Sequence, residues 1–181
     1  KVKHSILIDS GADLISYVMG EHSILEIAEA LQSGIPVEEI TYVAGTVFKS
    51  HDIGRVYEPL ILPDFEQVQT DKKAYAASFA IQYRNTDPFT ARSLAESYGK
   101  RGYVIQNPPA PPLTAIEKAD VYELPYKGTY HPMYQKDGGL PAMKEITIRL
   151  TSNRGCFGSC NFCALTFHQG RILQTRSHES I

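Results

Sequence analysis

All three cysteines of the chain, Cys156, Cys160 and Cys163, fall within one stretch of eight residues with the spacing Cys-x-x-x-Cys-x-x-Cys. Thiolates hold iron–sulfur clusters, and short spacings allow one loop to supply several of them. Gly155 and Gly158 lie beside and between these cysteines, and glycine adopts backbone conformations that let a loop wrap closely round an inorganic core. The pattern predicts a metal centre in which three protein ligands leave one metal position open for chemistry.

Zinc is the alternative occupant of the same thiolates. Cys156, Cys160 and Cys163 together with His168 would give a tetrahedral Cys₃His site in a non-catalytic metal-binding module. The cysteine spacing is not that of the common zinc fingers, and the flanking sequence alternates between strand and helix patterns. These two features favour the iron–sulfur interpretation, and the zinc interpretation stays open beside it.

Composition limits the class of protein, the partners and the cellular compartment in which this chemistry would occur. The chain has 181 residues, of which 43% are hydrophobic and 21% charged, as in an ordinary globular protein with one large or two small domains. Its formal net charge of −2 gives no field that would attract nucleic acid or an anionic membrane. No apolar run approaches the roughly 20 residues of a membrane span. An odd number of clustered cysteines argues for reduced thiols and a cytoplasmic protein.

Both ends of the sequence indicate a piece of a longer protein. The chain does not begin with methionine. Near the other end, Ser177 has the character of a helix N-cap and Glu179 would lie in the first turn, where an acid suits the helix dipole. Only a few residues follow, and so short a helix would not be stable alone.

The segment 1–60 has the pattern of α/β structure. Short apolar runs predict strands, of which the first two are expected to be buried and parallel, at residues 6–8, 14–19, 42–43 and 46–48. Between them an amphipathic helix is expected to end at Gly34, before Pro36. Its apolar positions are Ile24, Leu25, Ile27, Ala28 and Leu31. Strand, turn, helix and strand together predict a βαβ-type unit.

The segment 61–140 is more helical. We predict a helix opened by Asp64, longer helices over 70–84 and 90–99, and a strand over 103–105. Four prolines among residues 107–112 predict an extended linker.

Two further elements lead to the cysteines. Thr114 and Glu117 form a capping-box pattern that opens a short helix. After an irregular stretch over 126–141, residues 145–150 alternate like a strand that runs directly into the cysteine loop.

The cysteine spacing, with aromatic Phe162 before the last cysteine, resembles the signature of the radical S-adenosylmethionine (SAM) superfamily. The resemblance implies that Cys156, Cys160 and Cys163 ligate three irons of a 4Fe–4S cluster whose fourth iron is chelated by SAM. It implies that Phe162 lies beside the adenine. One electron then cleaves SAM to a 5′-deoxyadenosyl radical, which abstracts hydrogen from a substrate.

A closer resemblance, to the YgiQ-type family of radical SAM proteins, extends over nearly the whole chain. Its matching stretches are residues 7–24, 107–114, 120–126, 131–134, 154–160 and 168–181. The resemblance implies a longer enzyme of unassigned reaction and substrate. It implies SAM and an electron donor such as flavodoxin or ferredoxin as partners, and no activity for this chain alone.

The predicted fold class is α/β, with three parts. Residues 1–60 would be the end of a Rossmann-like, cobalamin-binding-like N-terminal domain, although the cobalamin ligand motif Asp-x-His-x-x-Gly is absent and cobalamin is not inferred. Residues 61–140 would be a helical and Pro-rich linking region. Residues 141–181 would supply the first strand and the cluster loop of a partial TIM barrel, at whose C-terminal strand ends active sites lie.

Other polar residues are less strongly predicted to belong to the metal centre. Arg154, Arg171 and Arg176 could offset cluster charge or hold the SAM carboxylate, and surface pairing is the alternative. A packing role is favoured for the tyrosines at 122, 126, 130 and 134, and turn capping for Asp9 and Asp13. No acid, base or hydrogen donor can be named.

Overall fold

The structure is a computed structural model that describes residues 2–147, 149–158, 160 and 162–181. The chain divides into two compact units. The larger unit comprises Lys1–Pro112 and Gly155–Ile172, and the smaller unit comprises Leu113–Arg154 and Leu173–Ile181.

Short helices and strands alternate along the chain. The α-helices are α1 (Ile6–Ser10), α2 (Glu21–Gln32), α3 (Phe65–Thr70), α4 (Lys72–Arg84), α5 (Ala115–Glu123), α6 (Met143–Ile146) and α7 (Leu165–Gln169). The strands are β1 (Leu14–Ser16), β2 (Thr46–Ser50), β3 (Leu60–Ile61), β4 (Leu94–Ser97), β5 (Tyr103–Gln106), β6 (Asn153–Arg154) and β7 (Gln174–Thr175). Single 3₁₀ turns occur at Val37–Glu39, Ile53–Arg55 and Gly99–Arg101, and a longer one at Pro132–Asp137.

A mixed five-stranded sheet organises the larger unit. Its strand order is β1-β2-β5-β4-β3, in which β3 and β4 are parallel and the other neighbours are antiparallel. Ile105 on the central strand β5 pairs with Phe48 on one side and Ala95 on the other. These three side chains are buried together and form the centre of the sheet. The smaller unit has its own two-stranded antiparallel sheet of β6 and β7.

Helices cover the sheet through two further apolar clusters. Leu7 of α1 packs with Phe65, Tyr98 and Val104. The cluster under α2 contains Ile27, Ala30, Ile40 and Val43.

Several predicted helices are confirmed with their capping residues. The Asp64 carboxylate accepts from the Gln67 amide at the start of α3. Asp71 caps α4 in the same way. Thr114 and Glu117 form the complete capping box of α5. The strand at 103–105 is confirmed as β5, and that at 46–48 as β2.

The prediction of a strand over residues 6–8 is wrong. These residues belong to α1, because the Ser5 hydroxyl accepts from the Leu7 amide at its start and Gly11, with φ 72°, ends it. A short apolar run fits a buried helical turn as well as a strand. The neighbouring strand β1 is shorter than predicted and pairs antiparallel with β2, so the parallel βαβ-type unit is also wrong.

Two later predictions of secondary structure are also wrong. Residues 94–97 form β4 rather than a helix, because they pair with β5 on one side and β3 on the other. Residues 145–150 form no strand in their described part; α6 covers Met143–Ile146, and residue 148 lies outside the described residues.

The remaining differences concern short segments. Residues 42–43 are irregular. The final residues form a turn in which the Ser177 hydroxyl accepts from the Ser180 amide, so the predicted helix there is absent from the described chain. Helix α2 is confirmed, but it buries Ser23, Ile27 and Ala30. Its apolar residues Ile24, Leu25 and Leu31 are exposed.

The mixed sheet with its covering helices agrees with an α/β class. A Rossmann-like N-terminal piece and a partial TIM barrel stay predictions. Among the helices of the described residues, none is long and apolar enough to cross a membrane.

Candidate metal centre

Backbone contacts fix the start of the cysteine loop within the larger unit. The Cys156 amide donates to the Gly170 carbonyl at 3.0 Å, and the Gly155 amide donates to the Gln169 side-chain oxygen at 3.2 Å. Gly155 has φ 83°, and a Cβ placed there would lie 2.1 Å from the Ile172 carbonyl oxygen. Only glycine fits so close an approach.

Gly158 lies beside two of the predicted ligands. A Cβ at this position would lie 3.3 Å from the Cys156 sulfur and 3.9 Å from the Cys160 sulfur. Because glycine has no side chain, both sulfurs lie next to this residue with no Cβ between them. Both thiols are free, with Cys156 half-buried and Cys160 exposed.

Cys163 begins the turn that leads into α7. Its amide donates to the Cys160 carbonyl at 3.1 Å, and its thiol is free and half-buried. Among the residues that the structure describes, no three His, Cys, Asp or Glu side chains are gathered as a metal site. The structure thus brings two predicted ligands to one glycine, and the complete ligand set stays a prediction. Residues 159 and 161 of the loop lie outside the described part.

The donor chemistry of the loop fits an iron–sulfur cluster. Three thiols within one short loop are the ligand type that such clusters use, and backbone amides nearby can donate to cluster sulfurs. Phe162, the predicted neighbour of the adenine, has a ring that is 92% exposed. His168, the fourth ligand of the zinc alternative, is an exposed residue of α7.

The arginines considered for the site lie in different surroundings. In the larger unit, Arg171 donates from Nε to the Thr86 hydroxyl at 3.0 Å and lies 4.6 Å from the centroid of the Tyr83 ring. In the smaller unit, Arg154 and Arg176 both lie over the ring of Tyr122, at 5.1 and 4.4 Å.

Sequence reasoning did not identify Lys118 as unusual. Its side chain is 1% exposed, and its ammonium donates to the backbone carbonyl of Gln174. Burial, followed by the positive charges of Arg154 and Arg176, lowers the pKa of this lysine. A lysine on a short capped helix has the sequence pattern of a solvated residue, so no signal distinguished it.

Tyr17 and Asn107 form a second unpredicted polar contact. The Tyr17 hydroxyl donates to the Asn107 carbonyl oxygen, and burial raises the Tyr17 pKa well above its ordinary range. Among the other candidates, Asp9 contacts His4 at 2.9 Å. Tyr126 is 66% exposed and therefore has no buried packing role.

Comparison with known proteins gives two kinds of match. The radical SAM N-terminal family model matches residues 1–149, which end before the cysteine loop. A UPF0313 protein of Clostridium botulinum strain 657 is 48% identical over 180 residues, which are 99% of this chain and 28% of that protein. A UPF0313 protein of Clostridium perfringens strain 13 is 46% identical over 182 residues, or 100% of this chain and 27% of that protein.

The chain therefore spans little more than a quarter of the length of these curated relatives. No solved structure matches the chain significantly. Because the family model covers most of the residues, this chain belongs to the radical SAM N-terminal family.

Proposed function

We propose that the protein to which this chain belongs is a radical SAM enzyme. In this proposal Cys156, Cys160 and Cys163 hold three irons of a 4Fe–4S cluster, and SAM occupies the fourth. When bound, the cluster and SAM supply a 5′-deoxyadenosyl radical that abstracts hydrogen from a substrate. The observation that carries the proposal is the position of Gly158 against two cysteine sulfurs, in a chain of the radical SAM N-terminal family.

The residues of the chain have three tasks in this proposal. The cysteines provide thiolates, which must lose their protons to become ligands. Gly155 and Gly158 keep side chains out of the space next to the sulfurs and the loop backbone. The hydrogen bonds from Cys156 to Gly170 and from Thr166 to Gly158 hold the loop in shape.

The rest of the proposal follows from the same family. Phe162, whose ring is exposed, would lie beside the adenine of SAM. A reductant such as flavodoxin or ferredoxin would supply one electron in a cytoplasmic setting that keeps the thiols reduced. Residues 1–60, 61–140 and 141–181 would be the end of a Rossmann-like domain, a linking region and the start of a partial TIM barrel.

Anaerobic reconstitution of the full-length protein with iron and sulfide tests the ligand set. We expect a brown protein with thiolate-to-iron absorption near ~400 nm and bound iron and sulfide in equal amounts. Cys160→Ala is expected to lose the cluster and reductive SAM cleavage, whereas Ser152→Ala, outside the loop, retains both. A colourless protein with one tightly held zinc per chain would instead support the Cys₃His site.

A further inference from the structure

A cavity of about 340 Å³ lies in the larger unit, beside the helix that follows the cysteine loop. Every residue that lines it is uncharged. Its wall includes Phe79, Gln82, Asn85 and Thr86 from α4 and the turn after it, Gln106 of β5, and Phe167 of α7. A cavity of this size suits a small organic molecule.

The polar side chains of the wall retain hydrogen-bonding capacity. Gln82, an exposed residue at the mouth of the cavity, donates from its side-chain amide to the Ser78 hydroxyl at 3.0 Å, and its side-chain oxygen accepts no hydrogen bond from the described residues. Asn85 uses one amide hydrogen on the Ile81 carbonyl, and its oxygen accepts from the Arg92 amide. One acceptor on Gln82 and one donor on Asn85 are therefore available to a ligand.

Thr86 is more constrained than its neighbours. Its hydroxyl donates to the Tyr83 carbonyl at 3.2 Å and accepts from Arg171 Nε at 3.0 Å. The hydroxyl keeps one lone pair as a further acceptor.

Two aromatic rings form the apolar part of the wall. Phe79 and Phe167 lie with ring centroids 6.4 Å apart and planes inclined by 57°. Tyr83 meets the same Phe167 ring edge-on at 5.9 Å and keeps it in place. Rings held in this way offer flat apolar surface to a planar ligand.

Backbone strain lies in the same wall. Val18, which lines the cavity, has φ 64°, a left-handed conformation that is rare for a β-branched residue. A Cβ on Gly170, another wall residue, would lie 3.9 Å from the Val18 side chain. Strained residues of this kind concentrate at ligand-binding sites, where the surrounding structure holds them.

The wall is connected to the cysteine loop by two hydrogen bonds. The hydroxyl of wall residue Thr166 donates to the carbonyl of Gly158 at 2.9 Å. The carbonyl of wall residue Gly170 accepts from the Cys156 amide at 3.0 Å. A ligand in the cavity would therefore contact the residues that support the predicted metal ligands.

We propose that this cavity binds an uncharged, planar molecule with an amide-like edge, in which a hydrogen-bond donor lies beside an acceptor, and that this molecule is the substrate. The donor edge faces the Gln82 side-chain oxygen, the acceptor faces the Asn85 side-chain amide, and one flat face lies against the Phe167 ring, while the Phe79 ring, inclined to it by 57°, meets the edge of the ligand. The substrate role rests on the radical chemistry proposed above; the binding itself does not. A carboxylate is disfavoured because no lining residue is charged, and the nearby Arg171 guanidinium is engaged with the Thr86 hydroxyl and the Tyr83 ring, so a carboxylate would gain no direct ion pair with the wall to offset its loss of water.

Nicotinamide and nicotinate are a matched pair of probes, because they share a ring and differ in amide against carboxylate. Calorimetric titration of the full-length protein is expected to show nicotinamide binding at least tenfold more tightly than nicotinate. Gln82→Met, which keeps side-chain length and removes the acceptor, should weaken nicotinamide binding about fivefold to tenfold. Phe167→Leu should weaken it as well.

Gln69→Met is the control, because Gln69 is exposed on α3 and does not line the cavity. It is expected to leave binding unchanged. Any one of three results would overturn the proposal. These are nicotinate binding as tightly as nicotinamide, no binding of nicotinamide to the wild-type protein, and nicotinamide binding to Gln82→Met as tightly as to the wild-type protein.

The same titration on Cys160→Ala separates this inference from the proposed function. Nicotinamide binding that persists in this variant supports the cavity without depending on the cluster. If the wild-type protein binds nicotinamide but neither assembles a cluster nor cleaves SAM, the radical function fails and the binding site stands. If it cleaves SAM but does not bind the amide, the cavity proposal fails alone.

Discussion

The hydroxyl of Thr166 donates a hydrogen bond of 2.9 Å to the carbonyl oxygen of Gly158. Thr166 is 3% exposed and belongs to α7, whereas Gly158 lies between Cys156 and Cys160 in the loop. One buried side chain therefore connects the helix after the loop to the glycine that faces two sulfurs.

Thr166→Val should loosen the loop while preserving the shape of the side chain. Loss of this hydrogen bond, worth about 1 kcal/mol, should raise the rate of alkylation of half-buried Cys156 in the cluster-free protein about fivefold. Mass spectrometry of each cysteine after timed iodoacetamide treatment measures the rate. Thr70→Val is the control, because the hydroxyl of exposed Thr70 makes a comparable bond to the Glu66 carbonyl within α3. Equal rates in the wild-type protein and Thr166→Val would show that the bond does not hold the loop.

The sequence predicted elements well where the signals were local. The cap at Asp64 and the capping box of Thr114 and Glu117 were correct because these contacts lie within one helical turn. The prediction failed at Leu94–Ser97, where pairing with strands distant in sequence decides the conformation.

The candidate site was predictable in part for the same reason. The cysteine spacing is visible in the sequence, and so is the glycine between the thiols. The cavity is not, because it joins residues from α4, β5 and α7, which are far apart along the chain. The burial of Lys118 likewise depends on contacts with β7 that no local pattern encodes.

Asn107→Leu should destabilise the larger unit. Asn107 is 6% exposed, and its side-chain amide donates toward the carbonyls of Thr41 and Val43 and the hydroxyl of Thr46. Leucine would remove the Asn107 donor from the half-buried Thr41 carbonyl and leave the Val43 carbonyl with the Thr46 hydroxyl as its donor, at a cost of about 1–3 kcal/mol. Hydrogen exchange of the β5 amides measures the change. The control Asn153→Leu, at an exposed position of β6, should change stability by less than about 0.5 kcal/mol.

Glu96→Gln should stabilise the larger unit at neutral pH. Burial, and then the negative charge of Asp64, raise the pKa of Glu96 against the opposing hydrogen bond from Tyr98. A carboxyl whose pKa is higher in the folded state favours folding below its unfolded pKa of about 4.3, and that contribution disappears as pH rises through the folded value. Glutamine stays neutral and can still accept from Tyr98.

Urea denaturation of the wild-type protein and Glu96→Gln at pH 7 and pH 4 measures this difference. The variant should be the more stable at pH 7, and the gap should narrow at pH 4, where the wild-type carboxyl is protonated as well. Glu26→Gln, at an exposed position in the middle of α2, is the control and should show little change at either pH. A difference in unfolding free energy between Glu96→Gln and the wild-type protein that grows toward acid pH would contradict the burial of the charge.

Lys118→Met should leave the free energy of unfolding of the smaller unit unchanged or raise it. The described residues place no carboxylate in an ion pair with Lys118; its ammonium donates to the Gln174 carbonyl, and Arg154 and Arg176 repel it. An apolar side chain of similar length removes a buried charge at the cost of one hydrogen bond and a cation–π contact of 6.0 Å with the Tyr122 ring, an exchange that is often neutral or favourable. Because the pKa of Lys118 is lowered, its charge destabilises the folded state most at pH values below that pKa, so the stability advantage of methionine should shrink as pH rises toward 10.

Thermal unfolding between pH 6 and pH 10 measures the trend, with Lys127→Met, at an exposed position, as the control. A clear loss of stability in Lys118→Met at pH 7 would mean that the folded protein gains more from this ammonium than one carbonyl contact explains.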